Sequence, residues 1–249
     1  MINLLLSIVA GGIVFLITFA TGRIHPGLCG LFGVVALVGA YIWLARRTGR
    51  QLEAIMPAVQ KEMMARKPER AVALLQDAFK LARWQFGVAA SLHANIGIVL
   101  YVQKKFDEAE PHLRKSRKSV VTLWLAQAML AAILFRQKKF DEMEKVFGGA
   151  MRGNKGETLL YAVHAWCENE RGEKKRALEI LQAGVKENPS DEKLKTLLGR
   201  AQNDKRLKLD AWGEQWWQFW LVTPPQMLNP QGNVFSGRQR FGRGGGFRR

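Results

Sequence analysis

The chain has 249 residues, 38 Lys plus Arg against 21 Asp plus Glu, and a formal net charge of +17. The first 45 residues hold one arginine, Arg23, and no acid, so the rest of the chain carries 37 basic and 21 acidic residues, a net +16. This division excludes an ordinary soluble domain, a secreted disulfide scaffold and a wholly disordered chain, and it points to a basic protein attached to a membrane.

Residues 4–20 (LLLSIVAGGIVFLITFA) and 28–45 (LCGLFGVVALVGAYIWLA) contain no charge. Each is near the length needed to cross a hydrocarbon core of roughly 30 Å as a helix, the conformation that satisfies its own backbone hydrogen bonds in lipid. The connector, residues 21–27 (TGRIHPG), is too short for a domain, so residues 1–48 read as a transmembrane helical hairpin. Arg46, Arg47 and Arg50 follow the second helix at once, against Arg23 alone in the connector. Positive charge stays on the cytoplasmic side, so the expected location is an inner (cytoplasmic) membrane, crossed more than once, with everything after Arg46 in the cytoplasm. A cleaved signal peptide ending near Ala20 is a rival reading, but its start lacks Lys and Arg. Small residues recur four apart, at Ser7 and Gly11, Cys29 and Gly33, and Ala36 and Ala40. Such pairs let helices approach closely, within the hairpin or between copies.

Beyond the hairpin the sequence repeats. Residues 103–110 read QKKFDEAE and residues 137–144 read QKKFDEME, an offset of 34. Ala109, Met143, Ala177 and Ala211 keep that spacing, as do Leu113, Phe147 and Leu181. So do the small residues Gly97, Ala131, Ala165 and Gly199, and Pro189 falls where a repeat should end. A period of this length marks stacked helical pairs, because one pair cannot bury its apolar face alone. The pattern resembles the tetratricopeptide repeat family. Ile96-Gly97 and Leu198-Gly199 match its Leu-Gly pair, Phe106 and Phe140 its aromatic before the second helix, and Ala109, Ala177 and Ala211 its interhelix alanine. His93 and Gln127 stand where the family prefers Trp, and Lys174 replaces the aromatic.

The resemblance implies a helical solenoid over 49–222, with full repeats at 90–123, 124–157 and 158–191. A degenerate repeat precedes them, with Pro68 in the first turn of its second helix and Ala71, Leu75 and Ala78 along it. Another follows from Ser190, a candidate helix cap. It also implies a concave groove lined by first helices: Ser91, Ala94, Ile98 and Tyr101, then Leu125, Ala128, Ala132 and Phe135, then Leu159, Ala162, Trp166 and Asn169. Of these, Ile98, Tyr101, Leu125, Ala128, Ala132, Phe135 and Trp166 form the expected partner-binding surface. Ala94, Ala128 and Ala162 stand where relatives that grip a terminal carboxylate carry Lys, so the groove is expected to take an apolar or amphipathic segment of a protein partner.

Residues 209–222 (LDAWGEQWWQFWLV) read as one Trp-rich helix, with Trp212, Trp216 and Trp220 in a stripe. Capping the solenoid, lying at the membrane interface and anchoring a partner are all open to it. Residues 223–249 form a tail with no repeat pattern, expected to be disordered and ending in GRQRFGRGGGFRR. Its arginines, Arg238, Arg240, Arg243, Arg248 and Arg249, are candidate anion-binding residues, with RNA or anionic lipid as targets and Phe241 and Phe247 available for base stacking.

Nothing in the sequence marks an enzyme, a metal site or a cofactor. His25, His93, His112 and His164 are scattered, Cys29 and Cys167 read as unpaired thiols, and residues 148–158 (GGAMRGNKGET) lack the Gly-Lys-Ser/Thr of a phosphate loop. Asp107, Glu108, Asp141 and Glu142 recur with the repeat and so mark its surface. The expected fold is all-α: a two-helix hairpin, a repeat solenoid and a basic tail. The expected function is a membrane-anchored scaffold for protein–protein interaction, with a membrane-tethered RNA- or ribosome-binding protein as the alternative.

Overall fold

A computed structural model of the chain describes residues 2–22, 25–116 and 123–223. Arg23 and the five tail arginines lie outside the described residues. Every described element is helical, and the chain divides into two compact units, one ending at Leu160 and one beginning at Tyr161.

The first unit opens with α1 (Ile2–Ala20) and α2 (Pro26–Glu53), two helices long and apolar enough to cross a membrane. Pro26, expected in the connector, instead opens α2, where its missing N–H has no intrahelical partner to lose. His25 caps the helix, its Nδ1 accepting from the Gly27 N–H at 3.3 Å. The two helices touch through small residues: Ser7, Gly11, Cys29 and Gly33 are all buried. A Cβ on Gly11 would stand 2.7 Å from the Gly33 carbonyl oxygen, so glycine is required there by the neighbouring backbone. The large apolar side chains point outward, and Leu5, Leu16 and Trp43 are each 63% exposed. A stable element in water would hide them.

The rest of the first unit is built from α3 (Met56–Met64), α4 (Pro68–Asp77), a short 3-10 helix (Ala78–Arg83), α5 (Val88–Val102), α6 (Phe106–Ser116), α7 (Trp124–Arg136) and α8 (Phe140–Gly153). The second contains most of α9 (Thr158–Glu170), then α10 (Lys174–Glu187), α11 (Glu192–Gln202), a 3-10 turn (Asp210–Trp212) and α12 (Glu214–Trp217). The first helices end alike. After α5 the N–H of Lys105 bonds the Leu100 carbonyl at 3.0 Å and that of Lys104 bonds Tyr101 at 2.8 Å. This is the crossed pair of a Schellman turn. The same bonds close α3 (Lys67 to Glu62, Arg66 to Met63), α7 (Lys139 to Leu134, Lys138 to Phe135), α9 (Glu173 to Glu168, Gly172 to Asn169) and α11 (Lys205 to Arg200, Asp204 to Ala201). The pivot residues Arg66, Lys104, Lys138, Gly172 and Asp204 all have positive φ. Lys104, Lys138 and Gly172 sit 34 residues apart, so the sequence period is a period of backbone conformation.

The turn after α5 reverses the chain. Tyr101 meets Phe106, Gly97 meets Leu113 and His93 meets His112, so α5 and α6 run antiparallel. Phe106 and Phe140, expected just before the second helices, are their first residues, followed by Asp107, Glu108 and Asp141, Glu142 in the first turns, where carboxylates favour the helix N-terminus. Pro68 opens α4, on which Ala71 and Leu75 are buried, with Ala78 buried just beyond it. Two expectations near the end of the chain are corrected. Asp191, not Ser190, caps α11, accepting from the Leu194 N–H at 2.8 Å. Residues 209–222 are not one helix: Gly213 adopts φ 55 and ψ −131, a conformation open essentially to glycine alone, and the helix stops. The bent segment buries Leu209, Trp212, Trp216, Trp217 and Phe219.

The small-residue ladder is not uniformly required. A Cβ on Gly97 would lie 2.6 Å from Leu113 Cδ2, whereas one on Gly199 would meet nothing within 4 Å. Gly97→Val should therefore destabilise the protein by about 1–3 kcal/mol through overpacking. Gly199→Ala, in the interior of α11, should stabilise it by about 0.5–1 kcal/mol. Urea unfolding of the full chain in detergent measures both.

Candidate functional site

Six of the expected groove residues belong to the first unit. Ile98, Tyr101, Ala128 and Ala132 are buried, and only Leu125 and Phe135 keep partial access to solvent. Tyr101 is buried with its ring edge-on to Phe106, centroids 5.0 Å apart, and the Arg136 guanidinium lies 4.4 Å from the other ring of that contact, Phe106. Ala94 and Ala128 are 2% and 0% exposed, so no Lys fits in their places. Leu125 and Phe135 lie near opposite ends of α7, and Trp124 beside Leu125 is partly accessible too.

Trp166 belongs to the second unit and is buried there, edge-on to Trp216 at 5.3 Å. The Trp-rich segment therefore covers the first helix of its own unit. Phe219 and Trp217 close the cluster around Trp216 at 6.4 Å each.

Two constellations were hidden in sequence. His93 on α5 and His112 on α6 bring their Nδ1 atoms within 3.0 Å, and His93 also stacks edge-on against Phe79. One ring must donate to the other, so the pair is satisfied only while at least one is neutral. Burial holds both imidazoles below their ordinary pKa, with the other histidine and Lys115 adding to the effect on His93 and Lys115 on His112. Their spacing of 19 residues matches no motif and becomes meaningful only once the Schellman turn reverses the chain.

The second constellation lies on α9. His164 and Glu168, each 1% exposed, occupy the positions that Leu130 and Leu134 fill 34 residues earlier, both fully buried. Arg171 reaches Glu168 Oε2 with Nη1 at 3.2 Å, and His164 Nε2 stands 3.6 Å from Oε1. A carboxylate in an apolar ladder is costly unless a cation accompanies it, and Arg171 follows it by one turn. Aligning Leu100, Leu134 and Glu168 by the 34-residue phase would have exposed this substitution in sequence. Cys167, wholly buried beside it, has its thiol pushed well above its ordinary pKa by burial and by Glu168 and Glu170, which makes it unreactive. Cys29 is likewise buried. Among the described residues, no three His, Cys, Asp or Glu side chains gather as a metal site.

In comparisons with family models, curated proteins and solved structures, the chain matched none of them.

Removing Arg171 should be worse than removing its partner. Arg171→Ala leaves Glu168 buried with its guanidinium gone and should cost about 3 kcal/mol, whereas Glu168→Leu restores the apolar ladder and should stay within about 1 kcal/mol of wild type. The histidine pair carries a pH dependence. Both folded-state pKa values lie below 6.5, so the neutral forms favour folding. As pH falls from 6.5 the unfolded chain takes up protons that the folded chain refuses, and stability is lost through the lowered pKa. Urea midpoints should drop between about pH 7 and pH 5 by more in wild type than in the His93→Gln/His112→Gln variant.

Proposed function

We propose that this protein is a membrane-anchored helical-repeat scaffold of the tetratricopeptide type, which holds a protein partner at the cytoplasmic face of an inner membrane. The observation that carries the reading is the recurrence of one Schellman turn after α3, α5, α7, α9 and α11, behind two helices that meet the length and apolarity of membrane spans. Repeats of this kind generally act by presenting a surface and not by chemistry. Arg46, Arg47 and Arg50 at the end of the second apolar stretch favour the cytoplasmic side for everything that follows. Leu125 and Phe135 are the groove positions left for an apolar segment of a partner to touch. The alternative, a tethered RNA- or ribosome-binding protein, draws support from the +17 net charge and the arginines of the tail.

Affinity capture of the full chain from mild detergent, with and without nuclease and across salt, separates the two. Scaffold binding should survive nuclease and high salt and be lost in Phe135→Glu, which keeps its fold because the side chain is already partly exposed. If binding is instead to single-stranded RNA through five tail arginines, log K should fall with log salt at a slope of about 3.5, and deletion of residues 236–249 should remove that slope. Protease added outside intact spheroplasts should leave residues beyond 46 whole. Digestion there rejects the proposed orientation.

A further inference from the structure

The turn at residues 84–86 joins the short 3-10 helix to α5, and it is tied to the apolar hairpin by a polar cluster in an otherwise greasy setting. Asn3, 1% exposed at the start of α1, donates through Nδ2 to Thr48 Oγ1 at 3.0 Å and to Gln85 Oε1 at 2.9 Å. Its backbone N–H, one of the orphan donors of a helix start, donates to the Trp84 carbonyl at 3.0 Å. Gln85 Nε2 in turn reaches the Tyr41 hydroxyl at 3.5 Å, and the Thr48 hydroxyl donates to the Leu44 carbonyl at 3.1 Å. Buried polar groups tolerate few arrangements, so this cluster sets the height of the turn along the hairpin.

That height is the end of both apolar stretches. Asn3 precedes residues 4–20, and Thr48 follows residues 28–45. At the same level Trp84 and Phe86 are 43% and 57% exposed, although their neighbours Val88 and Ala90 are buried. Trp43, 63% exposed, lies in the last turn of the second apolar stretch, and the Arg47 guanidinium lies 6.0 Å from its ring. Ile42, Trp43, Arg46, Arg47 and Arg50 share one face of α2, with the arginines beyond the end of the apolar stretch. Exposed tryptophan at the end of an apolar stretch, with arginines just past it, matches the bilayer interface, where indole favours the headgroup layer and arginine meets lipid phosphate.

We propose that Trp84 and Phe86, with Trp43, Arg46, Arg47 and Arg50, form a contact surface for the headgroup layer of an anionic bilayer, which lays the start of the repeat region on the membrane. This rests on the reading of α1 and α2 as membrane spans. The surface would hold α5 at the bilayer by aromatic insertion as well as by the chain connection.

The test uses the full chain in nanodiscs containing lipids brominated near the headgroup, which quench nearby tryptophan. Wild type, Trp43→Phe and Trp84→Phe are compared, each checked for unchanged helicity. Each variant should lose part of the lipid-quenched emission. If Trp43→Phe loses quenching and Trp84→Phe does not, the contact surface is rejected while the spans stand. If neither variant loses any, the spanning reading falls with it. Asn3→Ala in the Trp43→Phe background should lower the remaining quenching by freeing the turn, and unchanged quenching rejects the polar cluster as its tether. For the anionic preference, the protein is purified from equal amounts of phosphatidylglycerol and phosphatidylcholine. Wild type should retain an excess of phosphatidylglycerol, and Arg46→Gln/Arg47→Gln/Arg50→Gln should retain equal amounts. Equal retention by wild type overturns the assignment of these arginines to lipid phosphate.

Discussion

Among the described residues, five helices end on one residue held in the left-handed conformation, followed by a backbone bond five residues back. For a residue with a Cβ that conformation costs roughly 1–2 kcal/mol, and it persists because two helix-end carbonyls gain partners they would otherwise lack. Four of the five pivots, Arg66, Lys104, Lys138 and Asp204, are not glycine. The turn matters more than its own energy, because it sets where the second helix starts and which residues meet across the pair. Gly97 can lie on Leu113, and His93 on His112, only because Lys104 reverses the chain where it does.

Around these turns the interior is apolar with a few polar exceptions, several of which are paired across a helix contact. Gln127, on α7, donates to the Ser116 hydroxyl at 3.1 Å, and Ser116 donates to the Leu113 carbonyl at 2.6 Å, so a buried pair bridges α6 and α7. Glu110 and Glu142 both bind Arg114, at 2.7 and 2.8 Å, which links successive second helices on the exposed side. Pairs of that exposed kind contribute little stability, roughly 0–1 kcal/mol each. The buried ones matter more because a mispaired alternative would leave a donor or acceptor unsatisfied. Glu168 and Arg171 follow the same logic in the second unit, where one repeat departs from the leucines of the preceding copy.

Much of the architecture was legible in the sequence. The uncharged runs at 4–20 and 28–45 give two long apolar helices, because no other backbone form removes so many peptide groups from lipid or water without partners. The identical QKKFDE blocks mark helix starts after a turn, and their offset of 34 returns in Lys104, Lys138 and Gly172 as a backbone period. Phase alone put Ile98, Tyr101, Ala128 and Ala132 on one face, but phase does not say how closely neighbouring helices cover that face, and they are buried.

By itself, then, the sequence determined the all-helical class, the apolar hairpin, the period and the basic balance, because each depends on composition or on spacing along one chain. The tertiary structure alone decided what depends on distances between segments. It broke the Trp-rich segment at Gly213, and it set His93 against His112 across a turn. It also brought Asn3, Thr48 and Gln85 together from three places in the chain. Such contacts leave no periodic trace, since the energy of a buried hydrogen bond depends on where its partner lies in space and not on how many residues separate the two.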